Sequence, residues 1–252
     1  MTACKILLSN LGYMRGFHGG LAQQMLYAHR HFYCSVAAQQ QSAQQLMMLL
    51  ERENPDICCF VEIDKGSSST SNFNQLEAIL TEKYPFFDIE NKYGLHSRLR
   101  QFSFSKGKSN AFMAKHKLAY RKIYFTHGTK RLIYDIMLDP HTTLFFTHFS
   151  LKKKVRVQQL LQMRQLLHEA KGNVILLGDF NILSGFQELE PLLHNNNLRL
   201  LNDEHQPTFR FHRLHRVLDL CICSASIAPC LAIKIIPQPY SDHAALLVEY
   251  RP

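Results

Sequence analysis

Two polar clusters beside apolar runs carry the side chains of this sequence that are best suited to chemistry. Asp179 and Asn181 follow the apolar run 174–177. Asp242 and His243 stand directly before another apolar run near the end of the chain. Carboxylate and amide oxygens are ligands for hard cations, and a histidine beside an acid can act as a general base. Two such clusters in one chain indicate a site for metal-assisted hydrolysis.

Polar residues of the same kinds occur at the ends of other apolar segments, and the order of the whole set is informative. The set is Asn10, Glu62, His148, Asp179, Asn181, Asp219, Asp242 and His243. In this order and in its local sequence, the chain resembles the endonuclease/exonuclease/phosphatase superfamily. That superfamily includes deoxyribonucleases, AP endonucleases, neutral sphingomyelinases, inositol-polyphosphate phosphatases and tyrosyl-DNA phosphodiesterases. The resemblance extends from residue 4 to about residue 250.

The sequence around these residues carries the resemblance as well. Residues 6–10, ILLSN, resemble the opening strand with its asparagine, and residues 55–62, PDICCFVE, resemble the "PDI…QE" strand. Residues 107–113, GKSNAFM, are similar to the "GxxNAxLS" strand, and residues 145–148, FFTH, to the "THL" strand. Residues 207–209 and 216–219, PTF and RVLD, resemble the "PTF…RIDYI" segment. Nearly the whole chain is therefore covered by family-like motifs.

The resemblance implies a catalytic set of five residues for phosphodiester hydrolysis. His243 is implied to be the general base that deprotonates water, with Asp219 holding its imidazole in the required tautomer. Asp179 and Asn181 are implied to position the water and a phosphate oxygen. His148 is implied to bind the phosphate or to assist the leaving group. The residue types permit these roles, because the reaction needs a base, charge neutralisation at phosphorus and stabilisation of the departing oxygen.

The resemblance also implies a divalent-cation site. Glu62, assisted by Asn10 and Asp242, is implied to hold the metal, with water completing its coordination. Because these ligands all offer oxygen and few of them are charged, Mg²⁺ or Mn²⁺ is favoured over Zn²⁺. We therefore expect an enzyme that depends on Mg²⁺ or Mn²⁺.

Each of these residues taken alone has a simpler explanation. Asp179 can cap the segment that follows its strand. Glu62 can be an ordinary acid at a strand end, and His148 can be a core histidine bonded to backbone. A scaffold that has lost catalysis would be expected to carry an apolar residue at one of these positions, and none does. The occurrence of the whole set in one order favours an active site over a catalytically silent binding module.

Positive charge is unevenly distributed along the chain. The net charge is +9, and residues 92–133 contain no Asp or Glu. The basic residues of this stretch are Lys92, Arg98, Arg100, Lys106, Lys108, Lys115, Lys117, Arg121, Lys122, Lys130 and Arg131. Aromatic residues lie among them, an arrangement that suits a polyanionic partner, although a solvated basic face with core aromatics is the alternative.

One part of this basic stretch is expected to border the site. It lies between a predicted helix and the predicted strand that carries Asn110. The residues that we predict to bind substrate here are Asn110, Arg98, Arg100, Lys106 and Lys108.

Predicted strands and helices alternate along the chain. The strands are 5–9, 57–61, 111–114, 119–125, 132–138, 143–146 and 174–177, and the helices are 37–54, 74–83 and 154–170. Antiparallel strands interrupted by helices fit two sheets packed face to face. The resemblance implies the same architecture, an α/β four-layer sandwich of two mixed β-sheets flanked by helices. No repeat or linker divides the sequence, so we expect a single domain over residues 1–252.

Composition is typical of a globular protein, with 46% hydrophobic and 19% charged residues. The N-terminal residues lack the pattern of a secretion signal, and no apolar stretch is long enough to span a bilayer. The seven cysteines lie mostly in apolar runs and are expected to be free thiols in a reducing compartment. We therefore predict a monomeric cytoplasmic protein without stable membrane insertion.

The function predicted from these observations is a Mg²⁺-dependent phosphodiesterase, with a nuclease acting on DNA or RNA as the preferred form. A lipid phosphodiesterase of the sphingomyelinase kind and a phosphatase for small phosphoesters or inositol phosphates remain open alternatives. The sequence shows no amphipathic anchor, which disfavours the lipid substrate. An AP endonuclease is disfavoured by the resemblance for two reasons. Those enzymes lack a histidine at the position of His148, and their segment before the position of Asp219 often carries a tryptophan, whereas this chain contains none.

Overall fold

Two six-stranded β-sheets packed face to face form the centre of the computed structural model, which describes residues 3–194 and 197–251. The first sheet, in spatial order, contains β13 (Leu231–Ile236), β14 (Ala245–Tyr250), β1 (Cys4–Asn10), β2 (Ile57–Asp64), β4 (Lys108–Ala114) and β3 (Phe86–Asn91). The second contains β5 (Ala119–Tyr124), β6 (Leu132–Asp139), β7 (Thr142–His148), β8 (Asn173–Asp179), β12 (Asp219–Ser224) and β9 (Leu198–Leu200). A separate hairpin pairs β10 (Phe209–Phe211) with β11 (Leu214–Arg216), and the α-helices are α1 (Leu21–Leu26), α2 (Val36–Glu53), α3 (Lys153–Glu169) and α4 (Glu190–Leu193).

Each sheet contains one parallel pair of strands that is joined through a long helix. β1 and β2 are parallel and connected through α2, while β7 and β8 are parallel and connected through α3. The remaining strand pairs of both sheets are antiparallel, so both sheets are mixed. Because the carboxyl ends of parallel strands lie at the same edge of a sheet, each helix connection brings two strand ends together.

Apolar side chains fill three layers, one between the two sheets and one between each sheet and its long helix. In β1, Ile6 and Leu8 pack between the two sheets, whereas Leu7 packs on the side of α2, as the two-residue period of a strand requires. On the opposite side, Leu160 of α3 packs against the second sheet in the same cluster as Leu176. The predicted four-layer sandwich is therefore confirmed.

Residues 74–83, for which the sequence predicts a helix, form turns instead. The Gln75 side chain donates to a backbone oxygen of the first long loop and accepts from the backbone nitrogen of Asp64. Leu76 and Ile79 are buried in the same apolar layer as α2. The predicted helix is wrong because contacts with other segments hold this stretch, and the helical hydrogen bonds within it, from Ala78 to Asn74 and from Leu80 to Leu76, are isolated. The other predicted elements are present with somewhat different ends.

All seven cysteines are free, and five of them are buried, which agrees with the prediction of free thiols. Among the residues that the structure describes, no helix has both the length and the apolar character needed to cross a bilayer.

A buried ion pair between Arg156 and Glu188 fixes the loops that follow β7 and β8. Arg156 also donates to the backbone oxygens of Ser150 and Leu151 at 2.7 and 3.0 Å, and both charged side chains are 3% exposed. Arg156→Met should lower the free energy of unfolding by about 3–5 kcal/mol, since it leaves Glu188 buried without its partner. Denaturant unfolding measures this, with the exposed Lys154→Met as control. Equal stability of the two variants would contradict it.

Candidate active site

The edge of the second sheet carries three of the predicted residues in one row. β7 ends at His148 and β8 ends at Asp179, and the parallel register places these two residues opposite each other. β12 begins at Asp219, which pairs with Asp179 in antiparallel register. All three side chains are buried. Strand register alone therefore brings together residues that are distant in the sequence.

Asn10, at the end of β1, connects this row to the first sheet. Its Nδ2 donates to Asp179 Oδ2 at 3.0 Å and lies 3.4 Å from His243 Nε2. Its Oδ1 accepts from the backbone nitrogen of Gly12 at 3.0 Å. Because a backbone N–H can only donate, this bond fixes the orientation of the amide and directs its NH₂ group toward the imidazole. Nε2 of a neutral His243 is therefore the acceptor, and Nδ1 carries the proton.

His243 forms a hydrogen-bonded pair with Asp219, called here the Asp219–His243 pair. The distance from Nδ1 to Asp219 Oδ2 is 2.7 Å. The backbone nitrogen of Asp219 donates to Thr208 Oγ1 at 2.9 Å, and that of His243 donates to Ser241 Oγ at 3.2 Å. Burial by itself lowers the pKa of His243, but the carboxylates of Asp219 and Asp179 raise it to about 10. This is the geometry of a base with an orienting carboxylate.

The hydrogen bond from Asn10 to Asp179 and the one between His243 and Asp219 both connect the two sheets. Asn10 belongs to the first sheet and Asp179 to the second, while His243 shortly precedes β14 and Asp219 begins β12. Burial raises the pKa of Asp219. Burial would also raise the pKa of Asp179, but the imidazoles of His148 and His243 lower it below its usual range. Asp179 is therefore a carboxylate at neutral pH.

Glu62 is displaced from the regular course of β2 by a bulge. β2 places two residues, Val61 and Glu62, opposite the single Asn110 of β4. Glu62 has a φ of 55°, in the left-handed region that residues with a Cβ seldom adopt. Such bulges redirect a side chain and are frequent beside active sites.

Two ammonium groups lie close to the Glu62 carboxylate. The Nζ atoms of Lys92 and Lys130 are 3.9 and 3.8 Å from Glu62 Oε1, and His148 Nδ1 is 4.0 Å away. Burial by itself raises the pKa of Glu62, but the two lysines lower it to about 2. Both lysines are predicted only as members of the basic stretch, because the sequence does not show that their loops lie together.

His148 and Asn181 are held beside Asp179. His148 Nε2 is 3.1 Å from Asp179 Oδ2 and also contacts Nζ of Lys130. Burial and that ammonium group lower the pKa of His148 to about 4, so the ring is neutral. Asn181 donates from its backbone nitrogen to Asp179 Oδ1 and from its Nδ2 to the backbone oxygen of Phe149, both at 3.0 Å. The structure thus brings all five predicted catalytic residues to one edge of the sandwich.

One group of ligand atoms at this edge is compact enough for a metal ion. Asp179, Asp219 and His243 each offer one atom, and the three atoms lie within 4.8 Å of one another. Two of these residues are already hydrogen-bonded to each other as the Asp219–His243 pair. The cluster is therefore better suited to proton transfer than to enclosing a cation.

The predicted metal ligands, Glu62, Asp242 and Asn10, have oxygen atoms that remain available to a cation. Among the described residues, none donates a hydrogen bond to the Glu62 carboxylate, which is ionised, so its lone pairs are open to a cation. The Asp242 carboxyl is hydrogen-bonded by its own backbone and makes no ion pair within the described part of the chain, and burial raises its pKa. Asn10 has a second lone pair on Oδ1. This oxygen-only set fits a hard divalent cation.

The predicted substrate-binding residues divide into two kinds. Arg98 and Lys106 are exposed and form no ion pair with another described residue. Arg100 is instead bound through Nη2 to Glu90 Oε1 at 2.9 Å, so its charge is paired with a carboxylate of β3. Arg98 and Lys106 are therefore available to contact a substrate, whereas Arg100 is held in its ion pair with Glu90.

The other two members lie deeper. Nζ of Lys108 is 5.1 Å from the centre of the Tyr13 ring, and Tyr13 is a residue that the sequence does not single out. Asn110 is buried opposite the Glu62 bulge, and its Oδ1 has no hydrogen-bond partner among the described residues. Both therefore flank the candidate metal ligand from the side of β4.

The two mixed sheets, with acids and histidines gathered at one edge, form a phosphoesterase fold. The family model described as "Endonuclease/Exonuclease/phosphatase family" matches residues 25–243. The chain belongs to this family. No curated protein matches it in sequence.

Solved structures with this fold match over almost the whole chain. Truncated Caenorhabditis elegans TDP2 has a TM-score of 0.68 and 12% identity, with 99% of this chain and 98% of that chain covered. D. rerio TDP2 complexed with single strand DNA product has a TM-score of 0.66 and 15% identity, with 100% of both covered. The endonuclease domain of TRAS1, a telomere-specific non-LTR retrotransposon, has a TM-score of 0.61 and 14% identity, with 99% of both covered. At these identities the likeness shows the fold alone.

Proposed function

We propose that the protein is a divalent-metal-dependent phosphodiesterase that hydrolyses DNA or RNA. The observation that carries the proposal is the linked set Asn10, Asp179, His243 and Asp219, joined by bonds of 3.0 and 2.7 Å and a contact of 3.4 Å. This set presents a buried base, an orienting carboxylate and an amide donor at one point. Phosphodiester hydrolysis by an activated water requires these parts.

The base in this proposal is His243. Asp219 holds the proton of Nδ1, so the lone pair of Nε2, which the Asn10 amide contacts only at 3.4 Å, removes a proton from water when the substrate is bound. Asn10 and Asp179 hold the position of that water through polar groups on either side of it. Once protonated, the imidazolium is stabilised by the buried carboxylate of Asp219, which lowers the energy of the charge formed in the reaction.

The phosphate side of the site is cationic. Lys130 and the neutral His148 lie between Asp179 and Glu62. The Lys130 ammonium group can donate to a non-bridging oxygen of a phosphate, and His148 can do so once its single N–H leaves Asp179. Glu62, with Asp242 and Asn10, would hold Mg²⁺ or Mn²⁺. A bound divalent cation there would supply neutralisation of the charge that develops on phosphorus and on the leaving oxygen.

Two observations support nucleic acid as the substrate. The exposed Arg98 and Lys106 lie in a stretch without acids, and exposed aromatic side chains, Phe102 at 67% and Phe104 at 41%, lie between them. Cations interleaved with aromatics suit a strand with phosphates and stacked bases. A structural relative, D. rerio TDP2, has been solved with single-stranded DNA product, and the same ligand class is proposed for this chain.

A panel of substrates tests the proposal. Plasmid DNA, single-stranded DNA, RNA, sphingomyelin, inositol phosphates and bis(p-nitrophenyl) phosphate are each incubated with Mg²⁺ and with EDTA. Metal-dependent cleavage of a nucleic acid and of the small diester is expected. Cleavage of lipid or inositol phosphate without cleavage of nucleic acid would refute the substrate. If no substrate of the panel is hydrolysed, the proposed activity is refuted.

A further inference from the structure

Three cationic side chains surround one buried tyrosine ring beside Glu62. The Tyr13 side chain is 4% exposed. Its ring centre is 4.9 Å from Cζ of Arg15, 5.0 Å from Nζ of Lys92 and 5.1 Å from Nζ of Lys108. Lys92 also donates a hydrogen bond to the phenol oxygen. These four residues are called here the Tyr13 cluster.

The backbone that carries Tyr13 is strained and is tied to the active site. Gly12, Tyr13 and Met14 are all left-handed, with φ of 50°, 58° and 53°. A run of this kind is unfavourable for residues with a Cβ. The bond from the Gly12 nitrogen to Asn10 Oδ1, at 3.0 Å, fixes the start of the run. The chain therefore holds the ring and its cations close to the predicted base and metal ligands despite an energetic cost.

Several donors of the cluster are not used by the protein. The Lys108 ammonium group has no hydrogen-bond acceptor among the described residues, and the same holds for Nε of Arg15. Burial lowers the pKa of Lys108. Partly buried cations with unused donors are costly without an anion, and they bind one well.

The charges around the cluster do not balance. The positive members are Arg15, Lys92, Lys108 and the neighbouring Lys130. The nearby carboxylates are Glu62 and Asp64, and Asp64 is turned to its own loop, where it accepts from Gly66 N and Ser67 Oγ at 2.8 and 2.6 Å. Lys130 also lies beside the carboxylate of Asp179, so four positive groups face three carboxylates. A phosphate group of the substrate would neutralise the remaining positive charge and accept from the unused donors.

We propose that the Tyr13 cluster is a subsite for a second phosphate of the substrate, a monoester next to the diester that is cut. The assignment rests on the proposed phosphodiesterase function and narrows its substrate class. The preferred substrate is then a phosphodiester with a neighbouring terminal phosphate, such as a phosphorylated end of a DNA or RNA strand. The Tyr13 ring lies among the three cations, and the unused donors of Lys108 and of Arg15 Nε remain for the ligand.

Two matched pairs of chromogenic esters test the subsite. One pair is thymidine 5′-(p-nitrophenyl phosphate) with and without a 3′-phosphate, and the other is thymidine 3′-(p-nitrophenyl phosphate) with and without a 5′-phosphate. All four release p-nitrophenol, so only the added phosphate differs within a pair. In one pair, kcat/KM should be about tenfold higher or more with the added phosphate. Equal values in both pairs would overturn the subsite while the hydrolytic function stood.

Variants connect that preference to the cluster. Lys108→Met and Arg15→Met should each lower the ratio between the two esters about tenfold, the size of one lost charge-assisted contact. Lys108→Arg should keep most of the ratio because it keeps the charge and the donors. Lys117→Met is the matched control, since this lysine is exposed beyond the opposite end of β4. If the lysine only packs against the ring, Lys108→Met lowers Tm and leaves the ratio intact, which would overturn the assignment.

Direct binding separates failure of the subsite from failure of the function. In EDTA, calorimetric titration with inorganic phosphate should show binding to the unmodified protein and to Lys117→Met. The dissociation constant should rise about tenfold or more in Lys108→Met. This outcome supports the subsite even if none of the esters is hydrolysed, a result that refutes only the proposed function. Equal phosphate binding by the unmodified protein and Lys108→Met would overturn the subsite.

Discussion

His243→Ala is expected to lower kcat/KM for bis(p-nitrophenyl) phosphate by about 10²–10⁴-fold, the usual contribution of a general base, while the protein stays folded. The imidazole is the buried group that is both oriented by a carboxylate, at 2.7 Å, and in reach of the amide of Asn10. Asp219→Asn should cause a large loss as well, because an amide at this position no longer selects the Nδ1–H tautomer as a carboxylate does. Steady-state kinetics with circular dichroism as the folding check measures both.

The pH dependence provides an independent check of this role. The pKa of His243 is raised to about 10, so in the metal-free site the imidazole is protonated at neutral pH. A base must be deprotonated, so activity should increase with pH over the range of about 6 to 8. The small diester keeps one charge over this range, so the rise reports the enzyme. A profile that is equally steep in His243→Ala would assign the titration to another group.

Removal of the metal has the second large effect that we expect. EDTA should abolish hydrolysis, and Mg²⁺ or Mn²⁺ should restore it. Glu62→Gln should raise the metal concentration for half-maximal activity about 10–100-fold, because an amide is a weaker ligand than a carboxylate for a hard cation. Calorimetric titration with Mn²⁺ gives the same comparison without turnover.

Glu51→Gln is the control for this substitution. Glu51 is exposed on α2, so its variant removes the same charge away from the site and should bind Mn²⁺ as the unmodified protein does. Unchanged Mn²⁺ affinity in Glu62→Gln would remove Glu62 from the metal site. Full activity in EDTA would remove the metal from the reaction.

The sequence predicts the parts of the fold and site that depend on strand ends. A buried strand reads as an apolar run, and a polar residue that closes it, such as Asp179, is visible without a structure. The helix that connects β7 to β8 is consistent with His148 and Asp179 lying at one edge, whereas the pairing of Asp219 with Asp179 is visible only in the structure. The family-like motifs gave the order of the set, and the structure brings its members together.

The parts that could not be predicted depend on contacts between loops. Lys92 and Lys130 meet at Glu62 because backbone N–H groups of Arg131 and Leu132 donate to the Lys92 oxygen, and a pairing of this kind leaves no periodic signal in the sequence. The strained turn at Tyr13 is hidden for the same reason. The helix predicted for residues 74–83 failed because its apolar spacing serves burial under other segments, which local periodicity cannot distinguish from a helix.

The two polar bonds that cross between the sheets have a mechanical consequence. The layer between the sheets is apolar, and apolar contact has no direction, so it resists separation of the sheets far better than sliding. The Asn10–Asp179 hydrogen bond and the Asp219–His243 pair are directional, and they oppose this sliding at one end of the sandwich. A ligand that strengthens either of these hydrogen bonds should reduce the sliding of both sheets along their length. Slower amide exchange deep in the central strands, far from the ligand, would be the trace of that reduction.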